Sequence, residues 1–419
     1  MLVTRRKFLI GCSAGIATLA GARLSNLCFA SESEKAASGD ALVLIFLRGG
    51  CDGLSLVAPV DDKFYIAARA LDLRITDSGE SKGLELPKAS SEFDFRLPSN
   101  ASALKELYQQ GSLAIIHACG LLDGTRSHFD AMDLMERGVS DHTQKNLPTG
   151  WLTRHLMSLS DFKQLPAAAV SSSLPVSLLG SPYAYSLTDL GGFSLYGGEA
   201  QAAALAKFYR GESTLCQAAR QTLRALNVIS SEVKRDDSGN LIPYKPATGS
   251  TYPDGELGNN LKTVAQLLKL DLGLKVATID YGGWDTHEYQ SSIMPSHIKE
   301  LSDGLGAFWN DVSIYHKRLT VVVMSEFGRR LKSNESGGTD HGHGNLMLTL
   351  GGNIQGGKVY GKWPGLANEV LDSGADLAVT TDYRTVLSEI LLHRLGNSKI
   401  EKVFPGFELK NPLGLTGHT

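Results

Sequence analysis

Five cysteines in 419 residues are too few to build a disulfide scaffold. Two of them, Cys12 and Cys28, fall within the first thirty residues, and the odd remainder, Cys51, Cys119 and Cys216, allows at most one bridge. An excess of either charge is also missing. Lys and Arg number 41 against 44 Asp and Glu, a formal charge of −3, so nothing in the charge balance suggests nucleic-acid binding. There is no internal repeat or low-complexity tract. No apolar run reaches the roughly 20 strongly apolar residues that span a bilayer. What remains is a 42% hydrophobic chain long enough to bury a large core.

The amino terminus carries an address. Arg5-Arg6 precedes a short apolar run from Phe8 to Ala22, diluted by Gly11, Ser13, Gly15, Thr18 and Gly21. This is the pattern of a twin-arginine signal peptide over residues 1–30, cleaved after Ala30 and followed by a polar linker, 31–40. It implies passage through the twin-arginine translocase, a periplasmic or secreted location and no permanent membrane anchor. Removing its four basic residues moves the formal charge to −7. Gly11-Cys12-Ser13-Ala14-Gly15 imitates a serine-hydrolase elbow, but that elbow needs a strand before it and a helix after it.

Beyond the linker, short buried-strand patterns alternate with helical ones. Ala41 to Phe46, Leu113 to His117, Val276 to Tyr281, Leu319 to Met324 and Leu346 to Leu350 read as strands. His128 to Arg137, stopped by Gly138, and Asp382 to Leu395 read as helices. The expected fold is α/β, a doubly wound, mostly parallel sheet with helices on both faces, in a single domain over 41–419 with a helical cap or insertion at about 191–270. Such sheets bind ligands beyond the carboxyl ends of their strands. Asp52, Asp285 with His287, and Glu326 all follow candidate strands.

Carboxylate oxygen and imidazole nitrogen together suit zinc or manganese. Asp285 and His287 could ligate one ion, or Asp285 could simply stabilise a turn. Gly337-Gly338-Thr339-Asp340-His341-Gly342-His343-Gly344 interleaves glycines with three potential ligands, Asp340, His341 and His343. Ser127 stands where a loop becomes a helix, either as an N-cap or as a nucleophile beside an anion site. Arg126 and His128 flank it as candidate substrate contacts. His117, at a buried strand end, reads as a core histidine.

The strings FLRGGCDGLSLVAP, RSHFDAMDLMERG, GGWDTHEYQ, SEFGRR, GTDHGHGN, GGKVYGKWPGL and TTDYRTVL together resemble the secreted bacterial family called domain of unknown function 1501. That family looks like a distant branch of the alkaline phosphatase and sulfatase superfamily. The resemblance implies an α/β sheet with a site for one or two divalent ions, hydrolysis of a small anionic phosphate or sulfate ester, and Ser127 as nucleophile. It also implies Asp52 as the first-strand metal ligand, Asp285 with His287 on one metal, and His341 or His343 as the late histidine. This chain has Glu326-Phe327 where phosphatases carry an Asp-His pair, so one imidazole is missing. The alternative is a non-catalytic exported protein that binds an unknown partner. Cys216-Gln217-Ala218-Ala219-Arg220 imitates the cysteine motif of sulfatases, but lies in a helical stretch far from the first metal aspartate.

Overall fold

The computed structural model describes residues 39–87, 93–144, 146–159, 165–191, 195, 197–233, 236 and 242–417. The signal segment 1–30 and all of the linker except residues 39 and 40 lie outside the described residues.

Nine strands form one sheet: β1 (Ala41–Leu47), β2 (Leu113–Gly120), β3 (Ala167–Val170), β4 (Ala184–Leu187), β5 (Val276–Tyr281), β6 (Leu319–Ser325), β7 (Asn345–Gly351), β8 (Val359–Tyr360) and β9 (Thr381–Asp382). Their spatial order is β8-β2-β7-β6-β1-β5-β3-β4, with β9 also on β2. All pairings are parallel except those of β7, which runs antiparallel to both β2 and β6. The expected doubly wound, mostly parallel architecture is therefore present.

Burial on both faces explains why β1 reads as an uninterrupted apolar run. Val43, Ile45 and Leu47 enter one core, while Leu42, Leu44 and Phe46 enter the other. The first core is covered by α1 (Ser102–Gln109), α6 (Glu256–Lys269) and α7 (Gln290–Asp311), the second by α2 (His128–Arg137), α3 (Trp151–Ser158) and α8 (Tyr383–His393). Helices α4 (Gly198–Phe208) and α5 (Thr214–Glu232) occupy part of the expected insertion. Helix α6, in the same stretch, buries Leu257, Leu261, Val264, Leu267 and Leu268 in the core against the sheet, along the one face that their spacing sets. Cys51, Cys119 and Cys216 are free. Among the described residues no helix is long and apolar enough to cross a membrane.

Register brings the loops together. Leu47 pairs with Tyr281 on one side and Ser325 on the other, so the segments after β1, β5 and β6 leave the sheet at one level. Strand β2 ends at Gly120 on the same edge and leads into α2. Since β7 runs the other way, its amino end lies there too, with Asn345 opposite Cys119. The glycine-rich loop that precedes β7 thus joins loops that otherwise follow strands.

Candidate metal centre

Three histidines and one aspartate converge at this edge. The Nε2 atom of His341 lies 2.8 Å from that of His128 and 2.9 Å from that of His287. It is 3.2 Å from Asp285 Oδ1, which is 3.1 Å from His287 Nε2. Asp285 Oδ2 stands 3.4 Å from His128 Nε2.

The far side of each ring decides what these contacts are. Nδ1 of His128 faces Glu326 Oε1 at 2.8 Å, Nδ1 of His287 faces Asp340 Oδ1 at 3.1 Å, and Nδ1 of His341 faces the main-chain carbonyl of Arg126 at 2.9 Å. Each partner only accepts, so each neutral ring carries its proton on Nδ1 and presents a bare lone pair on Nε2. Three lone pairs and a carboxylate then point at one another with no donor between them. A proton on one ring would satisfy some of these contacts. Protons on several would set imidazolium ions side by side.

A cation between His128, Asp285 and His341 satisfies these three. Tetrahedral ligands at zinc distances stand about 3.3 Å apart, and the contacts run from 2.8 to 3.4 Å. The ligand atoms of His128, Asp285 and His341 all lie within 4.8 Å of one another; His287 touches His341 and Asp285 but stands outside that group of three. His128, Asp285 and His341 therefore make a donor set that fits one divalent ion, with Glu326 and the Arg126 carbonyl orienting the two rings as such partners do in metal sites.

Electrostatics keep the donors in the required state. Burial pushes the Asp285 carboxyl up, but the Arg329 hydrogen bond and charge outweigh it and the pKa falls below the ordinary value. For His341, burial and then the charge of Arg329 hold the ring below the usual imidazole range, so it is neutral. Glu326 is fully buried, yet hydrogen bonds from His128 and from Gly49 N at 2.9 Å keep it ionised.

Arg329 fastens the loops together. Its guanidinium donates to the carbonyls of Gly49, Gly50, Trp284 and Thr339 as well as to Asp285. Asn334 bridges the His287 carbonyl and the Asp340 carboxylate. Neither residue was singled out from the sequence, although Arg329 lies in the SEFGRR string; their donors are useful only once the loops have met.

Several expected ligands stand elsewhere. Asp52 is fully buried and is not a ligand: its carboxylate pairs with Arg69 and accepts from Gln290, Ser55 and Leu54 N. The guanidinium supplies the positive charge that an ion would have supplied, and holds the Asp52 pKa low against the effect of burial. His343 is not in the cluster, since its Nδ1 meets Asp372 at 2.8 Å and its Nε2 the Leu121 carbonyl at 2.9 Å. Asp340 and Glu326 face Nδ1 atoms, which makes them orienting carboxylates instead of ligands. Arg126 turns its guanidinium to Asp376, away from the role of substrate contact. His128, expected beside the substrate, stands among the metal donors. Ser127 caps α2, accepting from Asp130 N at 3.4 Å. His117 is buried against Phe95 and Trp363 and donates to the Val57 carbonyl.

Solved structures with a similar course include the periplasmic domain of EcEptC from Escherichia coli in complex with Zn (9% identity, covering 76% of this chain and 75% of that one, TM-score 0.37) and the PsFucS1 sulfatase from Pseudoalteromonas sp. (11%, 85% and 68%, TM-score 0.33). Likeness at this level says nothing of activity. No curated protein sequence matches the chain. Residues 253–395, which carry Asp285, His287, Glu326, Asp340 and His341, match the family model described as "Protein of unknown function (DUF1501)".

Proposed function

We propose that this chain is an exported metal-dependent hydrolase of phosphate or sulfate esters, working with one divalent ion, zinc or manganese, held by His128, Asp285 and His341, with His287 beside them. The observation that carries the reading is the convergence of three Nε2 lone pairs and one carboxylate with no donor among them. Such an ion supplies Lewis acidity and favours loss of a proton from a nearby hydroxyl or water.

The chain's own residues do the rest. The amino end of α2 begins at the donor His128, and the dipole of a helix start favours an anionic group there. Ser127, one residue before, accepts a hydrogen bond with its oxygen and keeps its O–H proton to give up, as a nucleophile must. Half-exposed Asp285 and His287 leave the centre open to a small ester. The motif resemblance to the phosphatase and sulfatase superfamily supports the ester class.

A second reading, a non-catalytic binding or assembly protein with one ion, is favoured by the Asp52–Arg69 pair, which closes the position that the resemblance assigns to another ligand. One experiment separates the two. Full-length mature protein should purify with one tightly bound divalent ion per chain and turn over an aryl phosphate or aryl sulfate, and His341→Ala should lose both. An ion without turnover across the ester panel would leave the binding reading, and no ion would sink the metal centre itself.

A further inference from the structure

We infer that Asp376, assisted by Asp372, is a positioning residue for the metal donors, acting through Arg126. The inference rests on the metal-site reading above. The Asp376 side chain is wholly buried, and its Oδ2 accepts from both Nε and an Nη of Arg126, the former at 2.9 Å. Its Oδ1 has no hydrogen-bond partner, with Arg330 Nε at 3.9 Å. Leaving a buried carboxylate oxygen without a hydrogen bond is costly, so fold stability is a poor reason to keep it there.

What the arrangement accomplishes lies one bond further on. Arg126 holds the centre with its main chain, whose carbonyl takes the Nδ1 proton of His341. The next residues are the α2 cap Ser127 and the donor His128. Fixing the Arg126 side chain therefore fixes both the acceptor that sets one ring's tautomer and the start of the helix that delivers another ring.

The anchor is rigid. Asp372 and Asp376 bond each other's main chains, Asp372 N to Asp376 O at 2.8 Å and Asp376 N to Asp372 O at 3.1 Å. Asp372 also approaches Arg126 at 3.5 Å and holds His343, which donates to the Leu121 carbonyl. The loop leading to His128 is thus tied at residue 121 and at residue 126 to one turn. His343 has its role here, as a tether between that turn and the loop.

The test uses cobalt(II) with the metal-stripped mature protein, its affinity measured by competition with a chromophoric chelator and its ligand field by visible absorption. Asp376→Asn should weaken cobalt binding about 10- to 100-fold and alter the absorption bands, while Arg126→Ala should do the same. If Asp376 acts through Arg126, the double variant loses no more than Arg126→Ala alone. Asp372→Asn, at a partly exposed site, should shift affinity the same way by a smaller factor and serves if the buried substitution prevents folding. A purely structural role would lower the melting temperature of metal-free protein and leave affinity per folded molecule unchanged. Wild-type affinity in both Asn variants, or losses that multiply in the double variant, would overturn the inference alone. A wild type that takes up no cobalt would overturn the metal reading and this inference with it.

Discussion

At the scale of single residues, what an imidazole can do at Nε2 is set by what its Nδ1 touches. That is why His341 and His343, two positions apart, differ: one faces a carbonyl and presents its lone pair to the centre, the other is used up between Asp372 and Leu121. Ser127 poses the same question for a hydroxyl. As an N-cap with a long 3.4 Å bond, its replacement by Ala should cost stability near the lower end of about 0.5 to 2 kcal/mol and leave the ion bound. As the nucleophile, it should also take turnover down by orders of magnitude. Urea denaturation, metal content and ester hydrolysis measured on one preparation answer both, and full turnover in Ser127→Ala would remove the proposed nucleophile. The polar types were legible in the sequence at this scale. The tautomers were not, because they depend on acceptors between 53 and 215 residues away.

At the scale of elements, the centre depends on how closely loops from different strands approach. Gly49 sits after β1 with φ of +118°, and a Cβ there would lie 2.5 Å from the main-chain nitrogen of Asp285. The next loop cannot yield without moving that donor. Gly49→Ala should therefore lower stability by more than about 1 kcal/mol and weaken metal binding beyond what the stability loss explains. Chemical denaturation of the metal-free protein and a metal titration would show this, and an alanine variant that binds metal like the wild type would contradict the proposed packing. The strands were legible because buried runs such as that of β1 need no partner to be recognised. The direction of β7 was not, since an apolar run reads alike either way, yet that direction is what brings His341 to the strand ends.

At the scale of the whole molecule, two histidines away from the centre make stability depend on pH. Burial lowers His117 and His155 to about 4, and each is neutral in the fold: the His117 Nδ1 accepts from Ala118 N, and the His155 Nδ1 faces Asn397 Nδ2. Their folded pKa values lie below the unfolded value of about 6.5. Their contribution is thus complete above about pH 6.5 and falls by up to about 1.4 kcal/mol per pH unit for each ring, down to about pH 4. Urea midpoints with a chelator present should drop clearly from pH 7.5 to pH 5.0, and less so in His117→Gln; equal midpoints would mean that the rings take up protons without unfolding. The proposed export is likewise tested on the chain as a whole. Residues 1–35 fused to a fluorescent reporter should cross the membrane only with a functional twin-arginine machinery, and Arg5→Lys with Arg6→Lys should trap the fusion inside. Export that survives those changes would remove the assignment. By itself the sequence determined the alternation of strands and helices and the kinds of residue able to hold an ion, because periodicity and side-chain chemistry are local. Only the tertiary structure decided that Asp52 answers to Arg69, that Glu326 and Asp340 steady rings, and that His128 joins the donors, because charge pairing and ligand geometry belong to atoms that meet only when distant loops share one edge of the sheet.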